Sequence, residues 1–503
     1  MPARIQRVVG ATTWLRAAVV LVVALVAGAC AAPGDDAAEA DTGVVPSRAA
    51  MVEDAVADDL VSGESPVPSG NGMPRPLRLA VVGEPATDPV AASPVDPADV
   101  AVLDLLYDGL TRWDDDAGTW VPAVAASVER DRNARVWTFV LGDRRFSDGT
   151  PIDADAVVAA LERLRGQSAL GADRLDHVAS MRALDDATVR VRLTRPDAMF
   201  PALVSHPLFG ITPTVDGGIN LDGRVGSGPL HVFGEDANSL VKADVGTEAL
   251  VEVEIVPVGD VDAGVAMVRS GDADVIHVPP SYAGPVDAAV PSGVMVAYAL
   301  NAASPLLTSA EKRRALTGSI SVADVAGALP GLEPIGGEGA DPADAAAGGL
   351  LPDLLSLAIV GSRTVVDAES AMAATLATQW RDAGVDVALD ELSLRAFVAL
   401  VSAGDHDVIR SGWVELHPGD RPHWRLVEAD SGANVTGVVD PDLASLVRRA
   451  GRDGTAEAQQ AVDDAVAELG VLLPIGRLQV RVVTAPGVDF VSTRFDGSLV
   501  FGD

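Results

Sequence analysis

Cys30 is the only cysteine among 503 residues, and that fact removes most of the ways in which an exported chain is held together. It leaves no disulfide framework and no cysteine-built metal site. Folding must therefore rest on an ordinary hydrophobic core, for which the 48% of hydrophobic residues is sufficient material. Export is read from what precedes the cysteine: Arg4, Arg7 and Arg16 form a basic front, an apolar run covers 17–29, and the small residues Ala27, Gly28 and Ala29 stand before Cys30. This is the layout of a secretory signal peptide over residues 1–29. The run is shorter than the roughly 20 residues of a bilayer-spanning helix.

The sequence Val26-Ala27-Gly28-Ala29-Cys30 resembles the lipobox of bacterial lipoproteins, with Ala27 where a larger aliphatic residue is usual. The resemblance implies that Cys30 is lipidated and that the protein is extracytoplasmic, anchored to the outer face of the cytoplasmic membrane. Two acyl chains suffice for stable attachment. Residues 31–75 are Ala, Asp, Glu, Gly, Ser and Pro without an apolar period, the composition of a tether. A formal charge of -35, with Lys242 and Lys312 the only lysines, argues against nucleic acid as a partner. The expected state is a monomer.

From Pro76 onward strand and helix patterns alternate. Leu77 to Val82 reads as a strand ended by Gly83-Glu84-Pro85, and Pro97 to Asp108 as a helix. Val136 to Leu141 is β-branched and aromatic, and Asp153 and Asp155 open a helix that runs to about Leu164. Further strands are expected over Leu250 to Val258, Asp274 to Val278, Val294 to Asn301, Leu354 to Val360, Val385 to Leu392 and Asp407 to Ile409. Helices are expected over Val261 to Arg269, Ala368 to Ala383 and Ala456 to Leu469. The length and the mixture predict an α/β architecture with more than one lobe and mixed sheets.

Several stretches resemble, in the same order, the family 5 extracellular solute-binding proteins of peptide and nickel ABC importers. Trp137-Thr138-Phe139 followed by Phe146-Ser147-Asp148-Gly149-Thr150-Pro151 carries the strongest likeness. Leu106-Tyr107-Asp108-Gly109-Leu110-Thr111 and Trp120-Val121-Pro122-Ala123-Val124-Ala125 lie upstream of it. Gly226-Ser227-Gly228-Pro229, Ser270 to Val275, Leu300-Asn301 and Gly412-Trp413 follow downstream. The resemblance implies a periplasmic-binding-protein-like fold of type II, cluster C, with two main lobes and an extra domain. Lobe I would comprise 76–111, 225–298 and 476–503, the extra domain 112–224, and lobe III 299–475.

The same resemblance implies a receptor, not an enzyme: a peptide or related small solute enclosed between lobes and handed to ABC permease subunits. The alternative is a transport-inactive relative that regulates or scaffolds cell-envelope assembly. It is prompted by the Gly- and Pro-rich segment between Leu329 and Leu350 and by the run after Trp413. In the family's peptide binders an Asp just past the Gly-Trp turn holds the ligand's α-amino group; here Val414-Glu415 follows the Trp. Trp413 offers a flat apolar face to a cleft, Glu415 and Glu84 suit a cationic ligand group, and Asn301 at a strand end suits either a ligand or a helix cap. The Phe146 to Pro151 block reads as a structural turn. His406, His417 and His423 fit no compact chelating spacing, so no metal or cofactor is expected. No catalytic motif is found.

Overall fold

The computed structural model describes residues 76–501 except 167–171, 216–217, 220–224, 234–238, 243–251, 336–349, 361–365, 430 and 489–490. The leader, Cys30, the tether and most of the segment from Leu329 to Leu350 lie outside the described residues. The elements that build the site are Leu77–Val82 (β1), Pro97–Leu106 (α1), Ala154–Gly166 (α2), Glu252–Val258 (β2), Val261–Ser270 (α3), Val275–Val278 (β3), Ala288–Leu300 (β4), Val408–Val414 (β5) and Leu472–Thr484 (β6). Side chains fix the helix starts. Asp96 accepts from the Ala98 N–H at α1, Asp153 from Ala156 at α2 and Asp260 from Ala263 at α3, each satisfying a donor that the first turn leaves open.

A four-stranded antiparallel sheet, ordered 125–130, 136–141, 188–193 and 178–185, forms a unit of its own. Val157, Leu161 and Leu164 of α2 are buried in one cluster with Trp137 and Phe139, and the Trp137 indole N–H donates to the Asp197 carbonyl at 3.1 Å. The Phe146 to Pro151 block is a turn. Asp148 accepts from the Thr150 N–H at 2.9 Å and hydroxyl at 2.6 Å, and Gly149 takes a φ of +85°. The Ser147 N–H donates to the Gly226 carbonyl, and its hydroxyl accepts from the Gly226 N–H. Gly228 lies against the end of α1, where a Cβ would stand 2.6 Å from the Tyr107 nitrogen. Two sequence motifs thus meet where the small sheet joins the rest of the molecule.

Among the described residues, eleven strands join in one mixed sheet. β1 lies between β2 and β3 and parallel to both, with Leu77 opposite Val253 and Leu79 opposite Val275. β3 pairs antiparallel with the end of β6, β6 with β4, and β4 with β5 from Val294–Val414 to Leu300–Val408. Strands 354–360 and 386–392 continue the sheet in parallel beyond β5. β4 and β6 span 13 residues each, about twice the common strand length, and belong to both halves of the sheet. The boundaries read from sequence at 298 and 475 therefore fall inside strands.

β4 changes character along its length. Residues 288–291 alternate between half-buried and exposed, whereas those from Ser292 onward are buried, as for a strand covered on both faces. At this transition the register slips: Pro291 opposes Gln479 and Met295 opposes Arg477. Ser292, Gly293 and Val294 therefore face Leu478 alone. Such a bulge bends its strand and raises the local twist, and here it bends the two-strand link between the halves. The Glu415 N–H donates to the Gly293 carbonyl at 2.8 Å, and a Cβ on Gly293 would stand 1.9 Å from the Glu415 carbonyl oxygen. Gly293→Ala is expected to cost about 2–4 kcal/mol and lower Tm by several degrees in calorimetry. An unchanged Tm would show that the bulge relaxes freely.

Candidate ligand cleft

In sheets with parallel strands, ligands collect beyond the carboxyl ends of those strands. A cavity of about 960 Å³ lies there. Its floor is formed by the ends of β1, β2 and β3 and the start of α3, and its opposite wall by Ser292 to Val294 of β4 with Val414 and Glu415. It is therefore enclosed by both halves of the large sheet at the place where β4 and β6 bend.

Of the residues singled out from the sequence, Glu415 lines this cavity and Trp413 does not. Trp413 is 8% exposed and packs with Met295, Phe397 and Leu426. Its ring centroid is 5.0 Å from that of His423, and it borders a separate hollow of about 60 Å³. Its indole N–H donates to Glu415 Oε1 at 3.3 Å, while Glu415 Oε2 pairs with Arg477 at 3.0 Å. Asn301, buried, donates to the carbonyls of Gly404 and His406 and accepts from the Ala303 N–H; its amide is spent on fastening a strand end to a loop. Glu84 is exposed, one residue beyond Gly83 of the cavity wall. The three histidines go separate ways: His406 bonds the Val435 carbonyl, His417 that of Pro418, and His423 the Asp463 carboxylate.

The residues that complete the site carry no motif. Arg477 donates to the Ser292 carbonyl at 2.8 Å as well as to Glu415, and its guanidinium lies 5.7 Å from the centroid of the Phe495 ring. Asp96, Asp260, Asp262 and Asp496 line the cavity with His206 and His277. Burial pushes the pKa of each of these histidines down to about 4, so both are neutral near pH 7. At His277 a hydrogen bond with the Gly497 backbone opposes that shift without reversing it. The signal that finds these residues is topological: they sit at strand ends and helix starts that converge only in the folded sheet.

Two halves of one mixed sheet, linked by a pair of long strands beside a cavity, give the fold of the type II periplasmic binding proteins. Residues 119–332 match the family model described as "Bacterial extracellular solute-binding proteins, family 5 Middle". Over that stretch the chain is similar to the family 5 extracellular solute-binding proteins. A curated relative, the periplasmic murein peptide-binding protein MppA of Escherichia coli (strain K12), is 22% identical over 474 residues, covering 78% of this chain and 86% of that protein. The unliganded open form of MppA superposes with a TM-score of 0.70 at 20% identity, covering 86% of this chain and 99% of that one. The ABC transporter substrate-binding protein CtaP from Listeria monocytogenes gives 0.66 at 19% identity (85% and 99%). Haemophilus influenzae OppA in complex with the peptide RPPGFSPFR gives 0.59 at 18% (86% and 100%).

Asp96 connects the cleft to stability. Burial, reinforced by the charge of Asp99, pushes its pKa up to about 6 against the opposing hydrogen bonds from the Ala98 and Asp99 backbones. The folded state thus holds this proton more tightly than the unfolded chain does. Stability falls as pH rises from about 4 to about 6 and is regained as pH drops back through that window. Asn caps helices as well as Asp, so Asp96→Asn keeps the cap and removes the charge. The expected result is a gain of about 1–3 kcal/mol at pH 8, roughly half of that at pH 5 and almost none at pH 3, read from denaturant melts across the series. An equal effect at pH 8 and pH 3 would remove the charge from the explanation.

Proposed function

We propose that the chain is the solute-capturing subunit of an ABC importer. Its two lobes close over a peptide or related small solute and present it to a membrane permease, while lipid on Cys30 holds the body at the outer face of the cytoplasmic membrane. The observation that supports this most is the cavity of about 960 Å³ at the bend of the two linking strands, near the upper end of the range of small-ligand sites. Hinge closure around such a space is the ordinary mechanism of capture. Peptide binding by MppA and OppA and the transporter role of CtaP lend the solute class and the partner.

One observation favours the second reading, a transport-inactive envelope lipoprotein. Glu415, the acid nearest the place where peptide binders hold an α-amino group, is already answered by Arg477. Native mass spectrometry of protein isolated from its own cells separates the two. A co-purified solute, displaced by peptides that raise Tm, is the expected outcome. Bare protein with no Tm shift from peptides, amino acids or sugars would end the importer reading. Membrane attachment is tested separately: Cys30→Ser is expected to move the protein from the membrane fraction to the soluble exported fraction, and retention on the membrane would refute the lipid anchor.

A further inference from the structure

The four-stranded sheet carries a charge arrangement that its fold does not require. One face packs against α2; the opposite face meets solvent, and Arg182, Arg190 and Arg192 stand exposed on it. Arg182 lies directly opposite Arg190 in the ladder, and Arg192 follows two residues along the same strand, opposite Ser180. Like charges facing each other across an antiparallel pair destabilise it. Elsewhere on the body arginines meet acids, as Arg78 meets Asp274, Arg163 meets Asp88 and Arg410 meets Glu369. None of the three sheet arginines has an ion pair or a side-chain hydrogen bond among the described residues. In a chain with 72 acidic residues against 37 basic ones, this face inverts the prevailing charge. Its own acids, Glu129 and Asp185, lie on the two edge strands, and Asp185 accepts from the Ala187 N–H. The turn at the Arg192 end adds Arg132 and Arg135, both exposed, while Asp131 there accepts from the N–H groups of Arg135 and Val136.

We infer that this face docks on an anionic lipid surface, with its arginines against phosphate headgroups, and so sets how the body lies on the membrane. Shape, composition and position favour lipid over an acidic protein. The open side of a sheet is broad and shallow, which suits a plane. Thr138 lies opposite Arg190 and Val136 opposite Arg192 on the next strand, and Val140 and Leu184 of the same sheet are exposed. Arginines with apolar neighbours suit the headgroup boundary, where the stem is sheltered and the guanidinium stays in water. The proposed anchor at Cys30 would keep such a surface within reach. Screening limits charge interactions to about 8 Å at physiological salt, so the face responds to what lies against it more than to the formal charge of -35 on the whole chain. The inference goes beyond solute capture and does not require the acyl chains.

The test is co-sedimentation with vesicles, using full-length exported protein that carries Cys30→Ser, so that no acyl chain contributes. Phosphatidylglycerol vesicles are expected to bind it at least about tenfold more strongly than phosphatidylcholine vesicles at low salt, with the difference shrinking as salt is added. Arg190→Gln is expected to weaken that binding about fivefold, and Arg182→Gln, Arg190→Gln and Arg192→Gln together to abolish the preference. Arg395→Gln, exposed on the helix Leu394–Ala403, is expected to change nothing. Thermal melts separate docking from a folding role: Arg190→Gln removes a like-charge pair and is expected to hold or raise Tm. Equal binding to both kinds of vesicle, or a preference that survives the triple variant, would overturn the inference. Binding of poly-glutamate with none to either vesicle would assign the face to an acidic protein and overturn it as well. None of these results bears on solute capture or on the anchor, which have their own tests.

Discussion

The ion pair between Glu415 and Arg477 is the interaction on which the arrangement of the two halves depends. Its side chains are 10% and 22% exposed, so it lies in a region where an unpaired charge costs several kcal/mol. Through Arg477 it also reaches the Ser292 carbonyl, and through the Glu415 backbone it meets Gly293. One carboxylate thus joins β5, the bulge of β4 and β6. The bulge gives the linking strands their bend, and the pair fixes where the bend is. A cavity opens at that point because the sheet changes direction there and the parallel strands β1, β2 and β3 end on one side of it.

Much of this was legible in the sequence, and the exceptions have physical causes. Leu77–Val82, Val261–Ser270 and Ala456–Leu469 form where alternation, helical spacing and terminal glycines place them. β4 is different: it was expected from Val294, yet it begins at Ala288. Pro291, Ser292 and Gly293 look like a break in the strand, and they are the bulge, tolerated because the residues opposite them do not complete the ladder. The helix expected to reach Asp108 stops at Leu106, with Tyr107 extended, because Gly228 packs against the chain there.

The site was legible only in part. Glu415 was found from the Gly-Trp turn, but its partner Arg477 is 62 residues away and no local pattern connects them. Trp413 illustrates the limit of periodicity. Every residue of β5 is buried, so alternation does not tell which face meets solvent, and the indole lies in the core beside the cleft. Asp96 and Asp260 carry the ordinary signature of helix caps. That they also face a common space follows from the order of strands, which becomes visible only once β1 is seated between β2 and β3.

The segment after β5 is held from a second side, and the magnitudes indicate which contacts yield when the lobes move. Arg174, from the unit built on the four-stranded sheet, pairs with Asp420 and reaches the Val414 carbonyl, while Asp420 accepts from the Leu416 N–H. Those two side chains are 12% and 11% exposed, about as sheltered as the pair at Glu415. Residues 414–420 are therefore clamped between two largely buried arginines, each costly to strand. Farther out, Arg195 meets Glu428 at 3.1 Å with the arginine 43% exposed, and screened pairs of that kind contribute about 0–1 kcal/mol. Breaking an inner clamp would cost several kcal/mol. On the proposed reading, in which the lobes close over a solute, sliding of the outer pair costs little and residues 414–420 would lie at the axis of the motion.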